Sequence, residues 1–175
     1  MRQSTKYKGR NNYLKRLPAA YYQGQAYVHW TMTIEDRKTG WLSRAFYYEF
    51  KEILIHTLFR YAMCSPVYCC MPDHIHIMLM GIETGSDQKK AMKYFRKHLN
   101  VLLKPFNVKL QKQGYDHALR NDERIEPKFI KVVDYIIKIP ERAILSFQVA
   151  EFDRIQTGKL RSSKSCSIYL IRIGI

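Results

Sequence analysis

Two histidines separated by one residue are the strongest candidates for chemistry in this 175-residue sequence. His74 and His76 follow a Pro-Asp turn within the segment 71–80, whose alternating residues are typical of a short β-strand. Side chains two positions apart on a strand leave from the same face, so the two imidazoles lie side by side, with Ile75 and Ile77 on the other face. Paired imidazoles on a rigid strand could supply half of a site for a divalent metal ion.

Two histidines alone do not make a catalytic metal site, which usually needs a third protein ligand and an open position for the substrate. A His-x-His pair on its own more often consists of ordinary buried or exposed histidines than of ligands. His29 and His117 lie in predicted strands and could approach the pair, although the sequence does not require it. The four cysteines include no Cys-x-x-Cys pair, which disfavours a thiolate zinc site and a disulfide framework.

The charge balance indicates a polyanionic partner. Lys and Arg number 30 against 15 Asp and Glu, which gives a formal net charge of +15. No acidic residue occurs in 1–20, 88–113 or 154–175. One basic run is usually a solvated surface, but three in a small domain favour nucleic acid over an anionic membrane. Because no apolar run has the length of a membrane span and no signal peptide precedes the domain, we expect a cytoplasmic protein without a membrane partner.

The elements that must position the histidines are predicted from hydrophobic periodicity. In chain order they are a strand at 26–33, a helix at 44–63 with Ser43 as its N-cap, strands at 66–71 and 74–80, a helix at 87–103, one or two strands within 107–120, and a helix from Pro127 to near Pro140. This order predicts an α+β fold, in which helices pack on one face of an antiparallel sheet of the ferredoxin-like, split βαβ class.

The chain is predicted to form one folded domain at 26–150, preceded by a basic N-terminal arm at 1–25 and followed by an atypical C-terminal tail at 151–175. The second helix carries a basic side that we expect to contact a nucleic acid backbone. That side consists of Lys89, Lys93, Arg96 and Lys97. For any single one of these side chains, a solvated position is an equally common role.

Four segments of the chain match one family in their order and spacing. Residues 71–77 read Met-Pro-Asp-His-Ile-His-Ile, 115–120 read Tyr-Asp-His-Ala-Leu-Arg, 135–143 read Tyr-Ile-Ile-Lys-Ile-Pro-Glu-Arg-Ala, and 28–31 read Val-His-Trp-Thr. From about residue 26 to residue 150, the chain therefore resembles the HUH-type single-tyrosine transposases, in the branch of the REP-associated tyrosine transposases. The resemblance implies the palm fold of the HUH endonucleases.

The resemblance also implies a metal-dependent DNA transposase and endonuclease. In the family, the two histidines hold Mg²⁺ or Mn²⁺, which implies this role for His74 and His76. The family tyrosine, here Tyr135, attacks a phosphate of single-stranded or hairpin DNA and leaves a 5′-phosphotyrosine link and a free 3′-OH, from which the strand is rejoined. The sequence leaves the oligomeric state open between a monomer and a homodimer.

One position departs from the family pattern. The family has an Asn four residues after the tyrosine, where it completes the metal site from the same face of the helix. This chain has Ile139 there, and an alkyl group cannot coordinate a hard cation. Two alternatives therefore stay open: a catalytically impaired relative that acts only as a DNA-binding module, and a general basic RNA-binding α+β domain. The tail also lacks the Pro- and aromatic-rich character of the family.

Overall fold

The computed structural model describes residues 16–119, 125–142, 152–155 and 168–171. Most of the predicted arm and tail lies outside these ranges, so both domain boundaries stay predictions. The strands are β1 (Tyr27–Thr33), β2 (Met63–Met71), β3 (His74–Gly81), β4 (Tyr115–Leu119), β5 (Phe152–Ile155) and β6 (Ile168–Ile171), and the helices are α1 (Arg44–Arg60), α2 (Gln88–Leu103) and α3 (Ile125–Arg142).

Strands β1 to β4 form one antiparallel sheet in the order β2-β3-β1-β4. The histidine strand β3 is therefore central and pairs with β1 on one side and β2 on the other. Strands β5 and β6 form a separate hairpin within the predicted tail, and β6 contacts β2. Among the residues that the structure describes, no helix is both long and apolar enough to cross a membrane.

Helices α1 and α2 each begin after a capping side chain, the predicted Ser43 for α1 and Asp87 for α2. The Ser43 hydroxyl accepts a hydrogen bond from the backbone N–H of Phe46 at 3.1 Å, and the Asp87 carboxylate accepts one from the backbone N–H of Lys90 at 3.0 Å. Both helices pack on one face of the sheet, which we call the α1/α2 face. The core on this face includes Trp30, Phe50, Ile75, Ile77 and Phe95.

Helix α3 packs on the opposite face of the sheet. Its buried residues Ile136 and Ile139 join an apolar cluster with Val67, Cys69 and Met78 of β2 and β3. The predicted α+β antiparallel class is confirmed, and the prediction that helices pack on one face holds for α1 and α2. The third helix lies on the other face because its apolar stripe meets the alternate side chains of the same strands.

The predicted strand within 107–120 is shorter than expected, since only β4 pairs with β1. The Asn100 side chain accepts a hydrogen bond from the backbone N–H of Leu110 at 2.8 Å. Arg96 donates to the carbonyls of Gln111 and Lys112 at 2.5 and 3.3 Å. These bonds attach the first half of the segment to α2, while the backbone N–H of Gln111 donates to the carbonyl of Thr33 at 2.8 Å, so this half stays beside the end of β1 without forming a regular strand.

Candidate active site

The candidate site lies on the sheet face opposite α1 and α2, which we call the histidine face. In the β1–β3 register, Thr31 lies opposite His76, so His29 and Thr31 of β1 point to the same face as His74 and His76. The ring centroids of His74 and His76 are 4.8 Å apart, and those of His29 and His76 are 5.1 Å apart. The structure therefore brings the two predicted ligands together, with a third imidazole beside them.

His76 is held through one ring nitrogen. Its Nδ1 lies 3.0 Å from Nε2 of His29 and 3.1 Å from the hydroxyl oxygen of Thr31, and shares a hydrogen bond with each. Both partners come from the strand next to β3, so the orientation of the ring depends on the β1–β3 register. Occupation of Nδ1 directs the second nitrogen, Nε2, to serve as the ligand.

Burial keeps the two contacting imidazoles neutral at pH 7. Desolvation, with a smaller effect of the neighbouring His117, lowers the pKa of His29 to about 4. Desolvation, followed by the charges of His29 and His74, lowers the pKa of His76 to about 3. A neutral imidazole has a free lone pair, so both rings are in the protonation state that metal coordination requires.

His74 is oriented by a carboxylate. Its Nδ1 lies 2.6 Å from Oδ1 of Asp73, and Arg37 donates a hydrogen bond at 2.9 Å to Oδ2 of the same residue. Desolvation alone would raise the pKa of Asp73, but the hydrogen bonds and charges of Arg37 and His74 lower it overall. An ionised carboxylate on Nδ1 fixes the tautomer that leaves Nε2 of His74 facing outward.

Tyr135 reaches the histidine cluster from α3. Its ring centroid lies 6.0 Å from that of His76 and 6.3 Å from that of His29, in edge-on geometry. The side chain is 42% exposed, so a nucleic acid can reach it from solvent. Tyr135 thus lies beside the predicted ligands within a single chain, and no second subunit is needed to supply it.

Ile139 lies one helical turn beyond Tyr135 and is packed in the apolar cluster under α3. It is 8% exposed and belongs to the cluster that includes Cys69, Met71 and Ile136. Within the described ranges, no three His, Cys, Asp or Glu side chains converge in a way that could hold a metal ion. The donor set therefore fits half of a divalent-metal site, since it offers two imidazole nitrogens. Water and phosphate oxygens would have to supply the other ligands, as they commonly do for Mg²⁺.

The basic side chains predicted to bind DNA lie away from these histidines, because α2 covers the opposite face of the sheet. Lys93 and Lys97 are exposed. Lys89 lies 4.3 Å above the centre of the Tyr22 ring, and Arg96 is committed to the carbonyls of segment 111–112. The role of these four residues in DNA binding stays a prediction.

His29, Thr31 and Asp73 are site residues for which sequence reasoning found no function. Asp73 directly precedes His74 in the turn before β3. The roles of His29 and Thr31 arise from pairing between distant strands, and the sequence signals are their positions two apart on a predicted strand and their place in the matching segment 28–31. Such a signal places the side chains on one face but does not say which strand lies next to them.

No protein-family model matches the chain, and no curated protein sequence matches it. Among solved structures, the chain is similar to a REP-associated tyrosine transposase bound to a REP hairpin, with a TM-score of 0.63 and 18% identity over 77% of this chain and 76% of that one. It also matches a putative transposase from Deinococcus radiodurans R1, with a TM-score of 0.44 and 14% identity over 74% of this chain and 97% of that one. The first of these similarities confirms the predicted resemblance at the level of structure: this chain has the fold of a REP-associated tyrosine transposase.

Proposed function

We propose that this chain is a transposase, which holds single-stranded or hairpin DNA and cleaves and rejoins it through a covalent bond to Tyr135. The observation that carries the proposal is the position of the Tyr135 ring, 6.0 Å from that of His76 and open to solvent. The similar solved structure is a transposase bound to a REP hairpin, which supports hairpin DNA as the substrate class. The formal charge of +15 also suits a DNA substrate.

The reaction would begin with attack of the Tyr135 oxygen on a phosphorus atom of the DNA backbone. A phosphorus–oxygen bond to the tyrosine forms as the bond to the 3′ oxygen breaks, and the phenol proton passes through solvent to the departing oxygen. The products are a 5′-phosphotyrosine and a free 3′-OH. Because the phosphoester bond is kept, a 3′-OH of the same or another strand can later reverse the step and release the tyrosine.

His74 and His76 would hold a divalent ion, Mg²⁺ or Mn²⁺, whose Lewis acidity would polarise the phosphate. The lowered pKa values of His29 and His76, about 4 and about 3, make these groups weak bases at pH 7. We therefore assign His76 to ligation rather than proton abstraction. His29 and Thr31 have the role of positioning residues, which hold the His76 ring from β1.

The test is a cleavage assay with a labelled hairpin oligonucleotide that carries single-stranded flanks, in Mg²⁺ or Mn²⁺. We expect a covalent protein–DNA adduct on a denaturing gel, and we expect Tyr135→Phe to abolish it because a phenyl ring has no nucleophile. Tyr21→Phe is the matched control, since Tyr21 is 39% exposed and Tyr135 is 42% exposed. An adduct that persists in Tyr135→Phe would contradict the assignment of the nucleophile.

A second candidate function is a module that binds hairpin DNA without cutting it. The specific observation in its favour is Ile139, whose alkyl side chain is packed among Cys69, Met71 and Ile136 where the family pattern has a ligand. A site with two nitrogen ligands would bind a hard cation weakly in the absence of DNA. Hairpin binding with no adduct in either metal would favour this second function.

Replacement of Ile139 tests the metal site directly. We expect Ile139→Asn to raise metal-dependent cleavage, because its amide oxygen would supply the ligand that the alkyl group lacks. Burying the amide should lower the free energy of unfolding by about 1–3 kcal/mol, to be measured by urea denaturation. Ile139→Val is the control, since it keeps the position apolar. If the Asn variant folds but neither cleaves faster nor binds Mn²⁺ more tightly, Ile139 does not occupy a ligand position.

A further inference from the structure

A patch of aromatic and basic side chains lies on the outer surface of α1 and α2, on the opposite side of the sheet from the candidate site. It combines the C-terminal turn of α1 with the middle of α2. We call it the aromatic–basic patch, and its members are His56, Phe59, Arg60, Lys93, Tyr94, Lys97 and His98. The candidate active site uses none of them.

Tyr94 is the centre of the patch. Its ring centroid lies 4.2 Å from that of His98 on the same helix and 6.1 Å from that of His56 on α1, and its hydroxyl group shares a 3.2 Å hydrogen bond with Nδ1 of His56. The Arg60 guanidinium carbon lies 5.3 Å from the centre of the Tyr94 ring. These contacts hold the rings and one cation together at the junction of the two helices.

Phe59 is the residue of the patch whose exposed position is not explained by packing in the core. It is 91% exposed, whereas Phe50 on the same helix is completely buried. Single exposed apolar residues are common on protein surfaces and need no explanation by themselves. Phe59, however, lies three residues after His56 on the same side of α1, so its exposed ring extends the surface formed by His56 and Tyr94.

The charge around the patch is strongly positive. Lys93 and Lys97 follow one another at helical spacing on the exposed side of α2, and in the described part of the chain neither forms an ion pair with an acidic side chain. No acidic residue occurs between 88 and 113. The exposed acids of α1, Glu49 and Glu52, lie nearer its N-terminus, so the positive surface is confined to its C-terminal end.

We propose that the aromatic–basic patch binds single-stranded DNA. A base would stack on the exposed ring of Phe59, while Arg60, Lys93 and Lys97 contact the neighbouring phosphates. An exposed aromatic ring on a surface with exposed cations fits a ligand that offers flat apolar bases and a chain of negative charges, as single-stranded DNA does. The identification of the ligand as DNA rests on the proposed function, whereas the stacking surface is inferred from the geometry of α1 and α2.

Binding at this patch would be separate from cleavage. The patch and Tyr135 lie on opposite sides of the same sheet, so a strand must pass around an edge of the sheet to contact both. The patch therefore holds DNA away from the scissile phosphate and increases affinity without contributing to the chemical step. Phe59→Ala should weaken binding while leaving the rate of cleavage at saturating DNA unchanged.

The experiment measures fluorescence anisotropy of a labelled, unstructured DNA strand about 20 nucleotides long, titrated with the full chain at several salt concentrations. We expect Phe59→Ala to weaken binding about tenfold, as loss of one base–aromatic stack does. The double variant Lys93→Gln, Lys97→Gln should lower the slope of log Kd against log salt by about 1.4, at about 0.7 for each lost phosphate contact. Matched controls are Val101→Ala, an exposed apolar residue of α2, and Lys38→Gln, an exposed lysine elsewhere; both should bind like the wild type.

The outcomes distinguish this proposal from the proposed function. If Phe59→Ala and the lysine double variant bind DNA as tightly as the wild type, the patch does not bind single-stranded DNA, whatever the cleavage assay gives. If no covalent adduct forms, the proposed transposase function is wrong, but the conclusion from the binding measurements on the patch is unaffected. The proposal is also wrong if an RNA strand of the same sequence binds more tightly than the DNA strand. It is likewise wrong if size-exclusion chromatography shows that Phe59→Ala changes the oligomeric state. Either result would assign the patch to another partner. Because Phe59 is 91% exposed, its variant should fold normally.

Discussion

The two faces of the sheet are built from the same strands but differ in what they contain. On the α1/α2 face, β1 contributes Val28, Trp30 and Met32, and these side chains are buried in the aromatic core. On the histidine face, the intervening residues His29 and Thr31 contact His76 instead. In β1, the alternation of the strand thus assigns one face to the core and places His29 and Thr31 at the candidate site.

The difference between the two faces explains why the imidazoles can be held close to one another. The large core on the α1/α2 face fixes the register of β1 against β3, because a slip by one residue would turn Trp30 outward and His29 inward. Polar side chains on the other face need not stabilise the fold, so they can be arranged for ligation. Three predictions test this division of labour, beginning with the largest expected effect.

Loss of a core aromatic on the α1/α2 face should have the largest effect. Phe50 is fully buried and packs against Tyr68 and Phe95 at ring-centroid distances of 5.4 and 5.6 Å. We expect Phe50→Ala to lower the free energy of unfolding by about 3–5 kcal/mol, because it removes buried apolar area and leaves a cavity. Urea denaturation followed by circular dichroism measures the change.

Phe59→Ala on the same helix is the internal control for this change. Because Phe59 is 91% exposed, the variant should differ from the wild type by less than about 0.5 kcal/mol. Equal destabilisation by the two substitutions would show that the face of α1 turned to the sheet does not supply the core.

Acid should act on the histidine face with a smaller effect per residue. The pKa of His29 is lowered to about 4 and that of His76 to about 3, against about 6.5 in the unfolded chain. Between about pH 3 and pH 6.5, the unfolded chain binds more protons than the folded chain. The free energy of unfolding therefore falls as the pH drops below about 6.5 and levels off below about 3. We expect the pair to account for a loss of about 5 kcal/mol between about pH 7 and pH 4.5, which is about 2–3 kcal/mol for each imidazole, measured by urea denaturation in EDTA.

The double variant His29→Gln, His76→Gln isolates this contribution, because glutamine keeps polar atoms but does not titrate. Its loss of stability over the same pH interval should be smaller than that of the wild type by the same amount. An identical pH dependence in the two proteins would show that carboxylates, rather than the buried imidazoles, cause the acid sensitivity.

The smallest effect on stability is expected for Thr31→Val, which removes the hydroxyl group next to Nδ1 of His76 and keeps the side-chain shape. Loss of one hydrogen bond should cost about 1 kcal/mol. Cleavage should fall about 10-fold or more, as is typical when a residue that orients a metal ligand is lost. Thr31→Ser is the control and should restore cleavage. Loss of cleavage in the Ser variant as well would mean that the methyl group, not the hydroxyl, matters.

Local pattern was sufficient to predict most of the elements, and the resemblance implied the residues that meet in the candidate site. Ser43 and Asp87 cap the first two helices near the predicted starts, and the His-x-His spacing placed both imidazoles on one face. The role of His29 was not predictable, because it depends on β1 lying next to β3 rather than at the edge of the sheet. Likewise, the shortening of β4 follows from side chains of α2 that are distant in sequence.

The attachment of α3 has a consequence for motion. The helix that carries Tyr135 is held to the sheet by a small apolar cluster around Ile136 and Ile139, separate from the main core. Elements that rest on few buried contacts open at a lower free energy than the whole domain unfolds. Hydrogen exchange should therefore be faster in α3 than in α1 or α2, and each local opening would carry the phenol away from the imidazoles while the rest of the sheet stays folded.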